Sequence, residues 1–425
     1  MSDTEAIEKR SVLFISYYYP PMGLSGVQRT LKFSKYLPEY NWKPIILSVE
    51  PNHYFAYDDE MLNELGDDVL IYRTESKNKN KNRTKSTYYN LYLQNIGRYL
   101  LSFVNIPDSK AKWKKQAIAL GEKIIKEHKI DVIYATAPPY TDFLVALELS
   151  KKFDIPFVVD YRDLWVDNKF NFFPTPYHKN RNEQLEHEIL VHANRIIVIT
   201  RTAKETLLKR YKFLNHLDIS IITHGYDKED FDKVGAVDKV KEKLVITHSG
   251  MFQDDRTPKY FLKALSEAIK VKPEIKDKIE IRFVGLMRPS HTKLISKLKL
   301  EQNCKLYDYV THSESIRHLL ESDVLWLMMK DTVRTPGKLY EYIGAGKPIL
   351  INAPIGSMRQ LASESGLAFV TDPDDIKQIT EEILKIYDLW KTNDLPKPNK
   401  DFINLFNRQQ LTASLAKELA LACKV

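Results

Sequence analysis

Cysteine is nearly absent: Cys304 and Cys423 are the only two among 425 residues, far apart and without a CxxC neighbour. That argues against a disulfide framework or a cysteine-rich zinc site and suits a reducing compartment. No apolar run approaches the ~18–20 residues that span a bilayer. The opening, MSDTEAIEKR, is polar and acidic where a secretory leader is basic and then apolar, so no such signal is expected. Neither GxGxxG nor GKS/T occurs, which removes the dinucleotide fingerprint and the P-loop. His224 and His248 end strand-like runs without clustered carboxylates or histidines, so no metal site is expected. No short internal repeat is found.

What remains is a globular chain with 43% hydrophobic and 28% charged residues, long enough for two or three domains. Lys+Arg number 64 against 56 Asp+Glu, a net +8 that fits many partners. The placement of charge says more. Lys77, Lys79, Lys81, Arg83 and Lys85 lie in a stretch without acids, followed by Tyr88, Tyr89, Leu91, Tyr92, Leu93, Arg98, Tyr99 and Phe103. Lys110, Lys112, Lys114 and Lys115 surround Trp113. Basic side chains beside amphipathic rings suit an anionic membrane surface. A solvated lysine loop before an ordinary core helix reads equally well. No nucleic-acid motif accompanies these residues, and no nucleic-acid partner is expected. The expected location is cytoplasmic, with residues 77–115 as a contact to the inner face of the cell membrane.

The elements alternate as in an α/β protein. Val12–Ser16 reads as a buried strand, Tyr17–Gly26 as a loop, Val27–Leu37 as a helix and Lys43–Val49 as a strand. Strands at 131–135, 157–160, 194–200 and 219–223 continue the series, with a helix at 140–153. Charge without periodicity then suggests a linker at 231–243. A second series has strands at 244–250, 279–285, 324–328 and 348–351, with helices at 259–271, 338–345 and 374–390. The expected organisation is a first domain over 1–230, a second over 244–400 and a tail, 401–425, whose helix crosses back to the first.

Ligands of open α/β sheets bind beyond the carboxyl ends of strands. In the first domain, Gly23 and Gly26 open a helix, where backbone N–H groups can approach an anion, and Arg29 adds a positive charge. The alternative is a tight turn that needs glycine. In the second, Gly250 follows a strand and Arg256 precedes a helix, an arrangement that could cradle a diphosphate; alone, a surface arginine explains it as well. In RTPGKLYEYIGAGKPI, residues 334–349, Gly337 starts a short helix whose Lys338 and Glu341 share a face at i,i+3. Lysine at a helix start suits phosphate, and a carboxylate one turn deeper suits two neighbouring ribose hydroxyls. An exposed ion pair is the plainer reading. Asp163 and Arg162, in DYRDLW, follow a strand; Asp163 could orient or deprotonate a hydroxyl and Arg162 fix it or bind a phosphate, or the region could hold a structural Asp–Arg pair.

Together, YYYPPMGLSGVQR, DVIYATAPP, PFVVDYRDLW, HGYD at 224–227 and PGKLYEYIGAGKPIL resemble bacterial glycosyltransferases of the GT-B fold, family 4 type, over nearly the whole chain. The resemblance implies two Rossmann-like doubly wound domains facing a cleft. The acceptor would bind the first and a nucleotide-sugar the second, with no cofactor besides that donor and no metal. Glu341 resembles the ribose-holding carboxylate, Arg256 and Lys338 would neutralise the departing diphosphate, and Tyr309 and Val310 would face the base. Gly23 and Gly26 would line the phosphate side. The family's first glutamate is missing: Val333 stands there, with Asp331 nearby. The expected activity is transfer of a hexose-like sugar, with retention, to a hydroxyl of a lipid-linked or saccharide acceptor in surface-polysaccharide assembly. A nucleotide-sugar 2-epimerase and a non-catalytic binding or scaffold protein are the alternatives.

Overall fold

The computed structural model describes residues 9–23, 25–51, 57–75, 103–169, 171–238, 242–252 and 255–424. They divide into two compact units, one formed by residues 1–223 with 408–425 and one by 224–407.

The first unit is a seven-stranded parallel sheet in the order β3-β2-β1-β4-β5-β6-β7. Its strands are β1 (Arg10–Ile15), β2 (Trp42–Val49), β3 (Leu70–Thr74), β4 (Val132–Ala137), β5 (Phe157–Tyr161), β6 (Arg195–Val198) and β7 (Ile219–Ile221). The central strands are apolar on both faces because helices cover both, as parallel sheets require. The order reverses between β1 and β4, so the Tyr17–Gly26 loop and the turn after β4 meet at the switch point. The last helix, Arg408–Ala422, belongs to this unit. Leu411, Leu415, Leu419 and Ala422 complete the core around Val12, Phe14, Tyr134 and Ile197.

The second unit has six parallel strands in the order β10-β9-β8-β11-β12-β13. They are β8 (Leu244–Ser249), β9 (Ile279–Val284), β10 (Cys304–Tyr307), β11 (Val324–Met328), β12 (Ile349–Asn352) and β13 (Ala368–Thr371). This is a Rossmann-like, doubly wound sheet with its switch point between β8 and β11. Trp326 fills one face, stacked on Phe261 at 4.0 Å between ring centroids.

The division falls at different places from those the sequence suggests. Residues Lys228–Val234, partly assigned above to a linker, form a helix of the second unit. Asp227 caps it, accepting from the Glu229 N–H, and Phe231 and Val234 pack on that unit's core. The tail to Asn407 also stays with the second unit, through Phe402, Ile403 and Phe406, and the return begins at Arg408.

Candidate functional site

In the second unit, β8 runs out into Gly250, which has φ of +103°. Its N–H donates to Val284 O at 2.6 Å, joining the ends of β8 and β9. The backbone angle disfavours a side chain here, and a Cβ would lie 2.4 Å from Lys338 Nζ and push that flexible ammonium aside. Gly285, φ +131°, is similarly confined, since its Cβ would meet the Gly250 backbone at 3.0–3.2 Å. Two adjacent strand ends therefore present bare backbone beside the Lys338 ammonium.

Lys338 is the second residue of the helix Gly337–Gly344, which follows the extended Pro336 and so begins with unsatisfied N–H groups. Tyr342 anchors this helix to β8, its hydroxyl accepting from the Ser249 N–H at 2.7 Å. The Thr335 and Tyr340 hydroxyls, 2.9 Å apart, close the preceding loop. Gly344 admits the Tyr226 ring, whose Cγ lies 2.3 Å from where a Cβ would stand. HGYD thus contributes a packing residue, Tyr226, and a helix cap, Asp227.

Burial, then the nearby charge of Arg256, push the Lys338 ammonium down to about 7 from the usual lysine value; Glu341 opposes them. Among the described residues, neither the Lys338 ammonium nor the Glu341 carboxylate makes a hydrogen bond or ion pair. The sequence's plainer reading, an exposed i,i+3 ion pair, is not what forms. The Lys338 ammonium stands at a glycine-lined helix start within reach of the Arg256 charge, and the Glu341 carboxylate one turn away is unengaged. Such a site is relieved by a polyanion that carries hydroxyl groups.

His248, one residue before Ser249, is a structural neighbour. It stacks on Phe252 at 4.2 Å, and Nδ1–H donates to Trp326 O at 3.0 Å. Burial and the Lys338 charge hold it neutral, its pKa well below the usual histidine range. Asp331, near the family's missing glutamate, is also engaged: it accepts from the N–H groups of Val333 and Arg334 at 2.7 and 2.9 Å and from Arg334 Nε at 3.0 Å. Val333 leaves that position without a charge of its own. Tyr309 and Val310 follow β10, at the same end of the sheet, where Tyr307 O accepts from the Gly285 N–H at 3.0 Å; Tyr309 is exposed. Gly285 was not singled out from sequence; its signal was a glycine directly after an apolar strand.

The first unit corrects two expectations. Arg29 is fully buried, not at a phosphate site. Its guanidinium donates to both Asp160 oxygens at 2.6 and 2.9 Å and to the carbonyls of Ile222 and Thr223. One turn beyond Gly26 the helix face turns to the sheet, so the charge is spent inside. Arg162 is buried too, and donates to the carbonyls of Gly26 and Pro138. It staples the loops after β1 and β4, and its Nε–H is buried without a hydrogen-bond partner. Gly23 is buried and Gly26 opens the helix Ser25–Tyr36. Asp163, half-buried, follows Arg162 and lies near Tyr140, whose phenol is raised by burial first and by the Asp163 charge second.

Of the proposed membrane stretch, residues 77–102 lie outside the described residues. Trp113 is a correction: it is buried, its Nε1–H donates to Thr74 Oγ1 at 2.8 Å, and it packs edge-on to Tyr17. Lys110 lies over the Tyr17 ring, and Lys114 pairs with Glu148 at 2.7 Å. Among the described residues no helix is long and apolar enough to cross a membrane.

Two family descriptions cover most of the chain in succession. Glycosyltransferase Family 4 matches residues 60–230 and Glycosyl transferases group 1 matches 229–401. The chain belongs to the GT-B glycosyltransferases of the family 4 type. Solved structures agree on the fold. A glycosyltransferase from Rickettsia africae is 16% identical, with TM-score 0.64, 97% of this chain covered and 99% of that one. Anabaena Alr3699/HepE, in complex with UDP and glucose, is 14% identical, TM-score 0.63, with the same coverage. A UDP-N-acetylglucosamine 2-epimerase from Listeria monocytogenes, so described as putative, is 13% identical, TM-score 0.55, with 93% and 94% covered. A comparison with curated protein sequences finds no match.

Proposed function

We propose that this glycosyltransferase takes a nucleotide-sugar as donor and passes a hexose-like sugar, with retention, to a hydroxyl acceptor. The observation that carries the donor is the Lys338 ammonium against the Gly250 backbone, within reach of the Arg256 charge, with Glu341 unengaged one turn away. UDP in the Anabaena structure, a protein of the same fold, supports this reading. Lys338 and Arg256 neutralise the diphosphate as it leaves, in place of a metal, and Glu341 accepts from the ribose hydroxyls. Gly337 offers backbone N–H at the helix start, and Tyr309 with Val310 flank the base.

In the transfer the bond from the sugar's anomeric carbon to the phosphate oxygen breaks and one to the acceptor oxygen forms. The hydroxyl proton passes to the departing phosphate, and Asp163 orients that hydroxyl. With Val333 in place of a glutamate, the sugar is held on that side without a carboxylate. A lipid-linked saccharide of surface-polysaccharide assembly is the acceptor that the basic, aromatic sequence at 77–102 suits. The assay is radiolabelled transfer from a panel of nucleotide-sugars to membrane lipid extract, with and without a chelator. Acceptor-dependent, chelator-resistant transfer is expected. Conversion of the donor without any acceptor would indicate an epimerase instead.

A further inference from the structure

The loop that follows β5, carrying Arg162 and Asp163, rests on the helix Pro176–His192. Asn182 Oδ1 accepts from Trp165 Nε1–H at 2.9 Å, and Trp165 lies flat on Tyr140 with ring centroids 4.7 Å apart. The Tyr140 hydroxyl donates to Leu164 O at 2.7 Å. One turn beyond Asn182 stands Glu186, 1% exposed, a carboxyl that the site above does not use. Its Oε2 accepts from the Tyr211 hydroxyl at 2.8 Å. Its Oε1 is buried without a hydrogen-bond partner, and so is the hydroxyl of Tyr161, the residue just before the loop.

Burial pushes the Glu186 carboxyl up to about 7. The Tyr211 hydroxyl opposes this, the Asp167 charge adds to it, and the Val166 backbone and Arg210 favour the charged form. These groups surround it: Tyr161 from β5, Tyr140 from the start of the helix Thr141–Phe153, Val166 and Asp167 from the loop, and Arg210 and Tyr211 from the end of the helix Arg201–Arg210. Arg210 in turn holds Asp167, with Nε at 2.6 Å, and Glu183 at 3.3 Å. A surface pocket of about 400 Å³, lined by Glu183, Gln184, His187, Arg210 and Tyr211, brings solvent to the Tyr211 side of the cluster.

We propose that Glu186 is a positioning residue for the transfer reaction: its charged form holds the Tyr211 hydroxyl, draws the Val166 backbone of the loop toward it and so sets the loop that presents Asp163, and its protonation loosens that hold. This rests on the reading that Asp163 serves the acceptor. Turnover at saturating donor then rises with pH through the Glu186 titration, while the KM for the donor, set in the other unit by Lys338, follows the same pH course in the wild type and in Glu186→Gln.

The test follows the indole N–H resonance of Trp165, assigned with Trp165→Phe, together with kcat across pH 5.5–8.5 (about the range that brackets an acid near 7). In the wild type both should titrate near 7. In Glu186→Gln, which keeps shape but has no charge, both should be flat and kcat should stay at the low-pH level. Tyr211→Phe removes a donor to the charged form and should move both midpoints upward by about half a unit or more. A Trp165 resonance that titrates identically in Glu186→Gln would overturn the proposal. A titrating resonance with a pH-independent kcat would also overturn it, by taking the loop out of the reaction. Failure of the transfer reading itself would look different: no turnover with any donor at any pH.

Discussion

Lys338 sets the second unit's response to pH. Free of ligand, its ammonium titrates near 7 because burial and Arg256 both disfavour the charge. A bound diphosphate must raise that value, so binding takes up a proton wherever the free lysine is neutral. Affinity for a nucleotide-sugar, whose diphosphate has no proton to lose in this range, should be level below about pH 7 and fall by up to about tenfold per unit above it. Lys338→Arg should remove the dependence, since a guanidinium stays charged. Calorimetry in buffers of different ionisation enthalpy reads the proton directly; no uptake at pH 8 would contradict the assignment. Glu341→Ala should weaken binding by about 1.5–3 kcal/mol, roughly 10- to 150-fold, if its carboxylate accepts from ribose. Unchanged affinity would remove that role.

At the scale of elements, the site depends on how closely the helix Gly337–Gly344 sits on β8. Tyr342→Phe leaves the buried Ser249 N–H without its acceptor and should cost about 1–3 kcal/mol of the unit's stability, with donor affinity falling as well. Thermal unfolding with and without ligand separates the two effects. The elements legible in the sequence were those with two buried faces: β1 and β11 carry unbroken apolar runs, and β8 and β9 are dense in Val, Ile, Leu and Phe. The strands missed, β3, β10 and β13, all lie at sheet edges. There one side meets solvent, and CKLY or AFVT shows too little pattern to stand out. The residues proposed for the donor stood out in the sequence because glycine, lysine and glutamate fell at or near strand and helix ends. The fate of Arg29 and Arg162 was not. Nothing in the sequence tells that Asp160, on a strand 131 residues later, meets Arg29 inside the core. Glu186 escaped notice because a buried acid in a polar-looking helix has no sequence signature.

For the whole molecule, the chain closes on itself through its last helix. Leu411, Leu415 and Leu419 are buried in the first unit's core, and Glu418 accepts from Arg195 Nε at 2.7 Å and the Ser220 hydroxyl at 2.8 Å. Each leucine is worth about 1.5–3 kcal/mol, so their sum approaches the total stability of an ordinary domain. Ending the chain at Asn407 should therefore unfold the first unit while the second keeps its own core. Two separate thermal transitions collapsing to one would show it; a truncated chain with both transitions intact would not fit.

The claim on which the rest depends is that the second unit binds a nucleoside diphosphate at Gly250, Lys338 and Glu341. Calorimetric titration of the intact protein with nucleotide-sugars of each base tests it most directly. The expected result is binding to one base family, weakened in Glu341→Ala and in Lys338→Met. No binding to folded protein, or equal affinity in both variants, would contradict it.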